Sequence, residues 1–467
     1  MNRLPWTKLQ DFYLRLGFLK ILVAALSPER RSIYGDPLLR RITSSVFAPA
    51  ATVPPLWSRV RNGIDWYAKD HTLGKKLDQP SVAEAQLVAG NHASYLYGIT
   101  KKSAIKVIDW GHDVALMGAG HQITERGLLF RAHVPVEAAE RFFNGDVEAW
   151  NPFILDPSEK ILFLYHLSEI DHVVLELAAD IAEWTGDRPM EAADVSKLLC
   201  KAMVRVLGRA KDTVRLVDVP AYRVATELAR TICMELDLQS ELKEFGLGAG
   251  ALNVPRLPPV KKRVGVRPES SGRVGSKSAD HQAIPRAEQL VDLGFLVKPL
   301  IDDASPSRDA RRRWRYAPTE VAHRWRTARV QGSTSNSQFL RDGFARAAVA
   351  AYQLGGPAAG SVDVQIIGQC FWDAYKRVGR RLGNSPLDTI ALEGMASAAV
   401  AGQAIEMADF ERLMVTVKKL GAIPESAFFA GGNDLDTMFV RLKPGFEQGL
   451  ALKKPEIQAA FDEMRTK

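Results

Sequence analysis

The sequence has only three cysteines, Cys200, Cys233 and Cys370, among 467 residues. They lie far apart and form no Cys-x-x-Cys pair, so the sequence predicts neither a disulfide framework nor a zinc site. We interpret them as small buried hydrophobic residues in a reducing compartment, which favours the cytoplasm. We expect no metal ion and no cofactor.

Long uncharged apolar runs are also missing. No stretch approaches the roughly 18 apolar residues that identify a membrane-spanning helix. Arg3, Lys8, Arg15 and Lys20 interrupt the N-terminal apolar runs, where a signal peptide would carry its apolar region. Residues 5–28 predict one amphipathic helix. A position on a membrane surface is an alternative, but the scarcity of Lys and Arg favours packing against the body. We expect no membrane partner.

Short catalytic signatures are missing as well. The chain has no GxxxxGK[ST] phosphate loop, no GxSxG elbow and no HExxH motif. His166, Asp171 and His172 lie close in sequence, but we interpret His166 as a core histidine because its segment is apolar. The sequence therefore favours a protein without catalytic residues. A nuclease with scattered carboxylates is the alternative, since such sites have no short signature.

Positive charge is concentrated in one segment. The chain has 62 Lys+Arg and 54 Asp+Glu, a net charge of +8, and residues 256–329 alone contain 17 Lys/Arg and 8 Asp/Glu. Such a local excess is typical of a surface that contacts phosphates. Residues 256–282 mix proline, glycine and serine with basic residues and predict a flexible strap. The strap residues that we expect to contact DNA are Lys261, Lys262, Arg263, Arg273 and Lys277.

The middle third predicts a helical core. Residues 156–159 are a strong helix start, with Asp at the N-cap, Pro at the first helical position and Glu reaching back. They open an apolar helix over 161–170, followed by a helix over 173–184. Further helices are predicted over about 191–207 and 220–236.

One pattern occurs three times: a helix, a short strand, a turn, a second strand and a new helix start. In the clearest copy a helix ends at Gly294, strands cover 295–297 and 314–317, and Thr319 caps the next helix. The loop between these strands is rich in arginine, whose planar guanidinium donates paired hydrogen bonds to phosphate. The arginines of this loop and the following strand are Arg308, Arg311, Arg312, Arg313 and Arg315.

The other two copies differ in charge. The first, Thr100 to Phe130, has basic residues at its predicted helix start, which favour phosphate contact as much as an ordinary surface helix. The third, Ala408 to Leu450, has an acidic helix and an acidic turn, which favour a protein interface or a dimer contact over DNA. The basic residues of the first copy are Lys101, Lys102 and Lys106.

This pattern resembles the bacterial winged helix-turn-helix superfamily of PadR-like, MarR-like and ArsR-like regulators. The resemblance covers less than half of the chain. It implies a mainly α fold with small β-hairpin wings, built as tandem winged-helix domains joined by helical support segments. We place the domains at residues 1–150, 151–330 and 331–467.

In such domains a recognition helix enters the major groove of DNA. The resemblance therefore implies non-catalytic binding of double-stranded DNA. The helix starting near Asp280 is the expected recognition helix, with Gln282 and Arg286 as candidates for contacts with adenine and guanine edges. Three units in one long chain suggest a component of a bacterial multi-protein system for DNA handling or anti-phage defence. A kleisin-like interaction scaffold and a transcriptional repressor are the alternatives.

Overall fold

Helices account for most of the described chain, and the strands between them are short. The structure is a computed structural model. It describes residues 15–26, 107, 109–118, 122–143, 149–185, 188–211, 219–247, 277–298, 315–330, 335–354, 363–379, 384–421, 427–432, 435 and 437–466.

The elements up to the arginine-rich loop comprise nine helices and two short strands in these described ranges. They are α1 (Gly17–Ala25), α2 (Glu125–Ala132), α3 (Val136–Phe143), α4 (Pro157–Ile170), α5 (His172–Ala182), β1 (Met190–Glu191), α6 (Ala192–Ala210), α7 (Val219–Glu235), α8 (Gln239–Glu244), α9 (Lys277–Asp292) and β2 (Leu296–Val297).

After that loop the described chain again alternates helices with short strands. They are β3 (Arg315–Pro318), α10 (Glu320–Val330), α11 (Asn336–Asp342), α12 (Phe344–Tyr352), α13 (Val364–Val378), β4 (Ser385–Pro386), α14 (Leu387–Val400), α15 (Met407–Leu420), β5 (Ala427–Gly431), β6 (Met438–Leu442), α16 (Phe446–Leu452) and α17 (Lys454–Thr466). The expected mainly α fold with small β-hairpins is confirmed.

Two small antiparallel sheets complete the hairpins of the second and third units. In the first sheet, β3 pairs with β2, Leu296 lying opposite Pro318, and with β1, Met190 lying opposite Tyr316. Its strand order is β1-β3-β2, and the second sheet has the matching order β4-β6-β5. Both predicted hairpins are therefore confirmed. Each gains a third strand that comes from earlier in the chain.

The first unit differs from its prediction. In place of two strands, the described residues show a single antiparallel bridge between Met117 and Ile123. The helix start after it is as expected. The Thr124 hydroxyl accepts a hydrogen bond from Gly127 N at 3.0 Å and donates one to Ala115 O at 2.7 Å, so this residue fixes the turn and caps α2.

Local signals for helix ends are confirmed where the structure describes them. Asp156 and Glu159 form a capping box, with Asp156 Oδ1 accepting from Glu159 N at 2.8 Å and Glu159 accepting from Asp156 N at 2.9 Å. Gly294 and Gly421 follow helices with φ of +81° and +55°. These left-handed conformations suit glycine, which has no Cβ to clash.

Helix α1 is a core element fixed by two buried ion pairs. Arg15 Nε lies 2.7 Å from Asp292 Oδ1, and Leu16 N donates to Asp292 Oδ2 at 2.8 Å. Lys20 Nζ lies 2.8 Å from Glu159 Oε1. The side chains of this helix that the structure describes are buried. The expected packing of the N-terminal helix against the body is confirmed for these residues.

The cysteines require a correction. Cys200 on α6 and Cys233 on α7 form a disulfide with their Cα atoms 5.9 Å apart, and both are fully buried. Because α6 and α7 pack against each other, residues 33 apart in sequence come within bonding distance. The prediction of three reduced thiols is wrong for this pair. Cys370 is a free thiol.

Contacts cross both of the predicted domain boundaries. Arg126 on α2 lies 3.1 Å from Asp388 on α14, and Asp292 on α9 holds Arg15 at the N-terminus. The boundaries themselves stay a prediction. Among the helices that the structure describes, none is long and apolar enough to span a membrane.

Candidate nucleic-acid interface

The base of the β2–β3 wing is fastened to α9 by one buried carboxylate. Glu288 accepts a hydrogen bond from the Tyr316 hydroxyl at 2.5 Å and lies 2.7 Å from Lys298 Nζ. Burial raises the pKa of Glu288 and lowers that of Lys298, because removal from water disfavours either charged form. The Lys298 ammonium also lies 5.5 Å from the centre of the Tyr316 ring. Glu288 therefore holds the chain on both sides of the arginine-rich loop, at Lys298 and at Tyr316, against α9.

The arginine-rich loop itself, residues 299–314, lies outside the described residues. The antiparallel pairing of β2 and β3 places Lys298, which precedes the loop, beside Tyr316, the residue after Arg315. Arg315 lies on β3 opposite Glu191, with its side chain half-buried.

Most of the other predicted DNA contacts also stay predictions. Lys277 begins α9, but its side chain is outside the described part of the chain. The remaining predicted contacts that lie outside the described residues are Arg308, Arg311, Arg312, Arg313, Lys261, Lys262, Arg263, Arg273, Lys101, Lys102 and Lys106.

The expected recognition helix requires a correction. Helix α9 begins at Lys277, and Gln282 and Arg286 are only 3% and 0% exposed. Arg286 donates to Asp171 from Nε and Nη2, at 3.1 and 2.5 Å, and to the Gln282 carbonyl oxygen at 3.0 Å. A side chain that reads a base edge must reach out of the protein surface. The assignment of these two residues to base reading is wrong for this structure.

The described cations of the basic segment are largely neutralised within the chain. Besides Arg286 and Lys298, Arg326 lies 2.6 Å from Glu183 and Arg329 lies 2.8 Å from Glu176. Residues 248–276 and 299–314 together contain ten Lys/Arg and four Asp/Glu, which is +6 of the segment's +9. Most of the charge excess therefore belongs to the strap and the wing loop.

Sequence reasoning missed a second group of arginines, which we call the α5 arginine cluster: Arg205, Arg209, Arg326 and Arg329. These side chains converge on one face of α5, where Glu176, Asp180 and Glu183 recur at helical spacing.

The ion pairs of the α5 arginine cluster join three helices. Arg205 and Arg209 on α6 lie 3.2 and 2.9 Å from Glu176, and Arg205 lies 2.5 Å from Asp180. Arg329 on α10 completes the group around Glu176.

The α5 arginine cluster sets four arginines against three carboxylates, so it keeps a small positive excess. Burial opposes ionisation of Glu176, but Arg329, Arg209 and Arg205 outweigh it and lower the pKa of this carboxyl to about 2. The Arg209 and Arg326 side chains stay 54% and 42% exposed. Each guanidinium has five N–H donors, so these two can bind a phosphate while keeping their ion pairs. The helical spacing of the three acidic residues was the available sequence signal.

A polar chain links α4 to α14 through His133. Its Nε2 lies 2.7 Å from Glu393 Oε2 and its Nδ1 lies 3.2 Å from Ser158 Oγ. The Ser158 hydroxyl donates to Asp156 Oδ1 at 2.8 Å, and in that arrangement His133 donates from both nitrogens. A serine nucleophile requires the reverse, a hydroxyl that donates to neutral histidine. The chain is therefore an ion pair between elements, and Arg377 also pairs with Glu393.

Of the remaining histidines of the sequence analysis, His166 is buried and His172 is half-buried. His166 Nε2 lies 2.6 Å from Val114 O, and burial lowers the pKa of this residue to about 3. Burial also lowers the pKa of His172 to about 4. The interpretation of His166 as a core histidine is confirmed. Neither ring carries a charge at neutral pH.

A cleft of about 520 Å³ lies beside α13 and α14. Its thiol, Cys370, has its pKa raised to about 11 by burial and by the nearby Asp373, so it is protonated at neutral pH. Its lysine, Lys376, lies 2.6 Å from Asp373. Reactive cysteines need a lowered pKa, so this cleft offers no activated nucleophile.

In the third unit the acidic residues of helix α15 are paired within the chain. Asp409 lies 3.1 Å from Arg412 and 3.3 Å from Arg465 on α17. Glu411 pairs with Arg341 on α11. Helices α11 and α17 both pack against α15, and its acidic side chains contribute to that packing.

The described residues contain no group of three or more His, Cys, Asp or Glu side chains arranged to hold a metal ion. Comparison of the chain with protein-family models, with curated proteins and with solved structures found no match.

Proposed function

We propose that this chain binds double-stranded DNA through its second winged unit and catalyses no reaction on it. The observation that carries the proposal is the β2–β3 hairpin. It is fastened to α9 through Glu288, and its connecting segment contains four arginines. A hairpin with a basic tip is suited to phosphate contact, because arginine donates paired hydrogen bonds to phosphate oxygens.

The order of elements supports the winged-helix interpretation. Within residues 331–467, α13, β4, α14, α15, β5 and β6 follow one another, and the sheet order is β4-β6-β5. This order resembles a helix-turn-helix with a preceding strand and a wing. The first sheet has the same relationship between an early strand and a later hairpin, with order β1-β3-β2. We therefore propose tandem winged-helix units within the mainly helical fold.

The proposed contact is with the DNA backbone. Because Gln282 and Arg286 are buried, neither residue of the second unit can contact a base edge. The wing arginines and the exposed Arg209 and Arg326 of the α5 arginine cluster contact phosphates in this proposal. Phosphate contacts carry no direct sequence information and release counterions. We expect affinity to depend strongly on salt and weakly on DNA sequence.

The test compares three variants with the wild type on two unrelated duplexes, by fluorescence anisotropy across a salt series. Replacing Arg311, Arg312 and Arg313 by alanine should weaken binding to both duplexes alike. It should reduce the slope of log affinity against log salt by about 0.9 for each phosphate contact removed. Arg209→Ala with Arg326→Ala should act in the same direction.

The matched control removes three exposed cations elsewhere in the chain. Lys419, Lys443 and Lys453 are exposed, and their replacement by alanine changes net charge as much as the wing variant does. We expect the control to keep more affinity than the wing variant and a steeper salt slope. Equal behaviour of the control and wing variants would contradict the proposal. A wild type that binds neither duplex at low salt would favour the interaction scaffold.

A further inference from the structure

Among the residues that the structure describes, strand β5 forms an edge of the second sheet. The strand order is β4-β6-β5, and within the described residues β5 pairs with β6 alone. Its sequence, Ala-Phe-Phe-Ala-Gly, contains no charge and no proline, the two commonest devices that keep an edge strand from pairing. Phe428 on β5 and Phe439 on β6 are 54% and 40% exposed. This edge and the outer face beside it are suited to a partner.

The hydrogen bonds of the hairpin show which groups of β5 point outward. Gly432 N donates to Thr437 O at 3.2 Å, which makes these two residues a hydrogen-bonded pair. Such pairs alternate along an antiparallel ladder, so Phe428 and Ala430 bond to β6. The outward groups are the N–H and C=O of Phe429 and of Ala427, and the N–H of Gly431.

This outward pattern is symmetric about Phe429. A two-fold axis at this residue places it opposite Phe429 of a second copy, where each donates to the carbonyl oxygen of the other. Gly431 N–H then meets Ala427 O of the second copy at each end. An isologous contact requires this kind of self-complementarity, because the same patch is used on both sides.

Side-chain sizes fit the same arrangement. In this register Phe428 of one copy lies opposite Ala430 of the other, on the outer face of the sheet. Ala430 is itself opposite Phe439 within the hairpin. The exposed Phe428 ring therefore covers the small alanine and reaches the second copy's Phe439 beyond it. Such large–small alternation fills an interface, and aromatic pairs across strands stabilise a sheet.

Charge does not oppose this arrangement. The described Arg441 and Lys443 are exposed, and the sequence that joins β5 to β6 contains Asp434 and Asp436. β5 itself adds no like-charge repulsion.

From these observations we infer that two copies of this chain associate through β5, forming one continuous six-stranded sheet with its two-fold axis at Phe429. The inference is independent of DNA binding, since it uses none of the wing arginines.

The first test is the mass of the full chain in solution, by light scattering after gel filtration and by sedimentation equilibrium. We expect a dimer for the wild type. Ala430→Arg fills the space that Phe428 of the second copy needs and adds a charge there. It should raise the dimer dissociation constant at least about 30-fold. Leu452→Arg is the matched control, since Leu452 is 85% exposed on α16, and it should stay dimeric. A monomeric wild type, or a dimeric Ala430→Arg protein, would overturn the inference.

A second test reads the register directly. In a Cys370→Ser background, Phe429→Cys places two thiols across the two-fold axis. Hydrogen-bonded antiparallel partners have Cα atoms about 5.5 Å apart, within disulfide range. Mild oxidation should give a covalent dimer. Phe439→Cys, one strand further from the axis on each side, should give none. Failure of Phe429→Cys to cross-link, or equal cross-linking by Phe439→Cys, would overturn the register.

Discussion

Arg286 and Asp171 form a buried ion pair across 115 residues of sequence, with Arg286 Nη2 at 2.5 Å and Nε at 3.1 Å from one carboxylate oxygen. The other oxygen of Asp171 accepts from Val173 N at 3.0 Å and caps α5. One carboxylate therefore joins the start of α5 to the middle of α9. This pair occupies the place where a base-reading arginine was expected.

Breaking this pair should destabilise the protein strongly. Arg286→Met keeps much of the side-chain volume but leaves Asp171 as a buried charge without its guanidinium. Loss of one partner from a buried pair costs about 3–5 kcal/mol. We expect that loss in the free energy of unfolding, measured by urea denaturation at pH 7. The control is Arg188→Met, because Arg188 is mostly exposed and pairs with Asp194. A loss no larger than that of the control would contradict the assignment.

The ion pair between His133 and Glu393 should make stability depend on pH. Burial opposes protonation of His133, but the hydrogen bond and charge of Glu393 and the charges of Asp156 and Glu159 outweigh it and raise its pKa above 6.5. A raised pKa in the folded state adds stability that is fully present below the unfolded value and is lost as pH rises through the folded value.

The measurement is the free energy of unfolding of the wild type and of His133→Gln between pH 5.5 and 9. The difference between the two proteins should be largest at the acidic end and should shrink as pH rises. His323→Gln, at an exposed histidine on α10, is the matched control for the loss of one imidazole. A His133→Gln difference that grows with pH would show that the sign is wrong.

The Cys200–Cys233 disulfide should contribute substantially to stability. It closes a loop of 33 residues between two buried positions. Loop-closure entropy predicts about 3–4 kcal/mol for a loop of this size. Replacing both cysteines by alanine should lower the free energy of unfolding by roughly that amount, measured with urea under oxidising conditions. Cys370→Ala should change it much less. Titration of three free thiols instead of one in the unreduced, urea-denatured chain would contradict the pairing.

The features that the sequence predicted correctly are those encoded within a few residues. The capping box at Asp156 needs only four consecutive residues, and the helix stop at Gly294 needs one residue with a left-handed φ. The β2–β3 and β5–β6 hairpins likewise join neighbouring segments of chain. In each case the interaction that determines the structure is between residues close in sequence, so the sequence pattern predicts it.

The features that it missed depend on distant partners. β1 is two residues long and forms because Met190 meets Tyr316, which no pattern near Met190 indicates. A charged residue on a predicted helix is usually solvated, and only the tertiary approach of Asp171 explains the burial of Arg286. The wing loop with Arg311, Arg312 and Arg313 is the part of the candidate site that still rests on sequence alone.

The ion pair that anchors Arg15, just before α1, to Asp292 has a consequence for folding during translation. Its anchor at Asp292 is 277 residues further along the chain than Arg15. At about 5–20 residues per second, the ribosome needs roughly 15–55 s to make that partner. During this interval an apolar helix that the finished fold encloses waits without its docking site. The apolar side chains of α1 therefore stay without this part of their native environment until the chain has been made as far as Asp292.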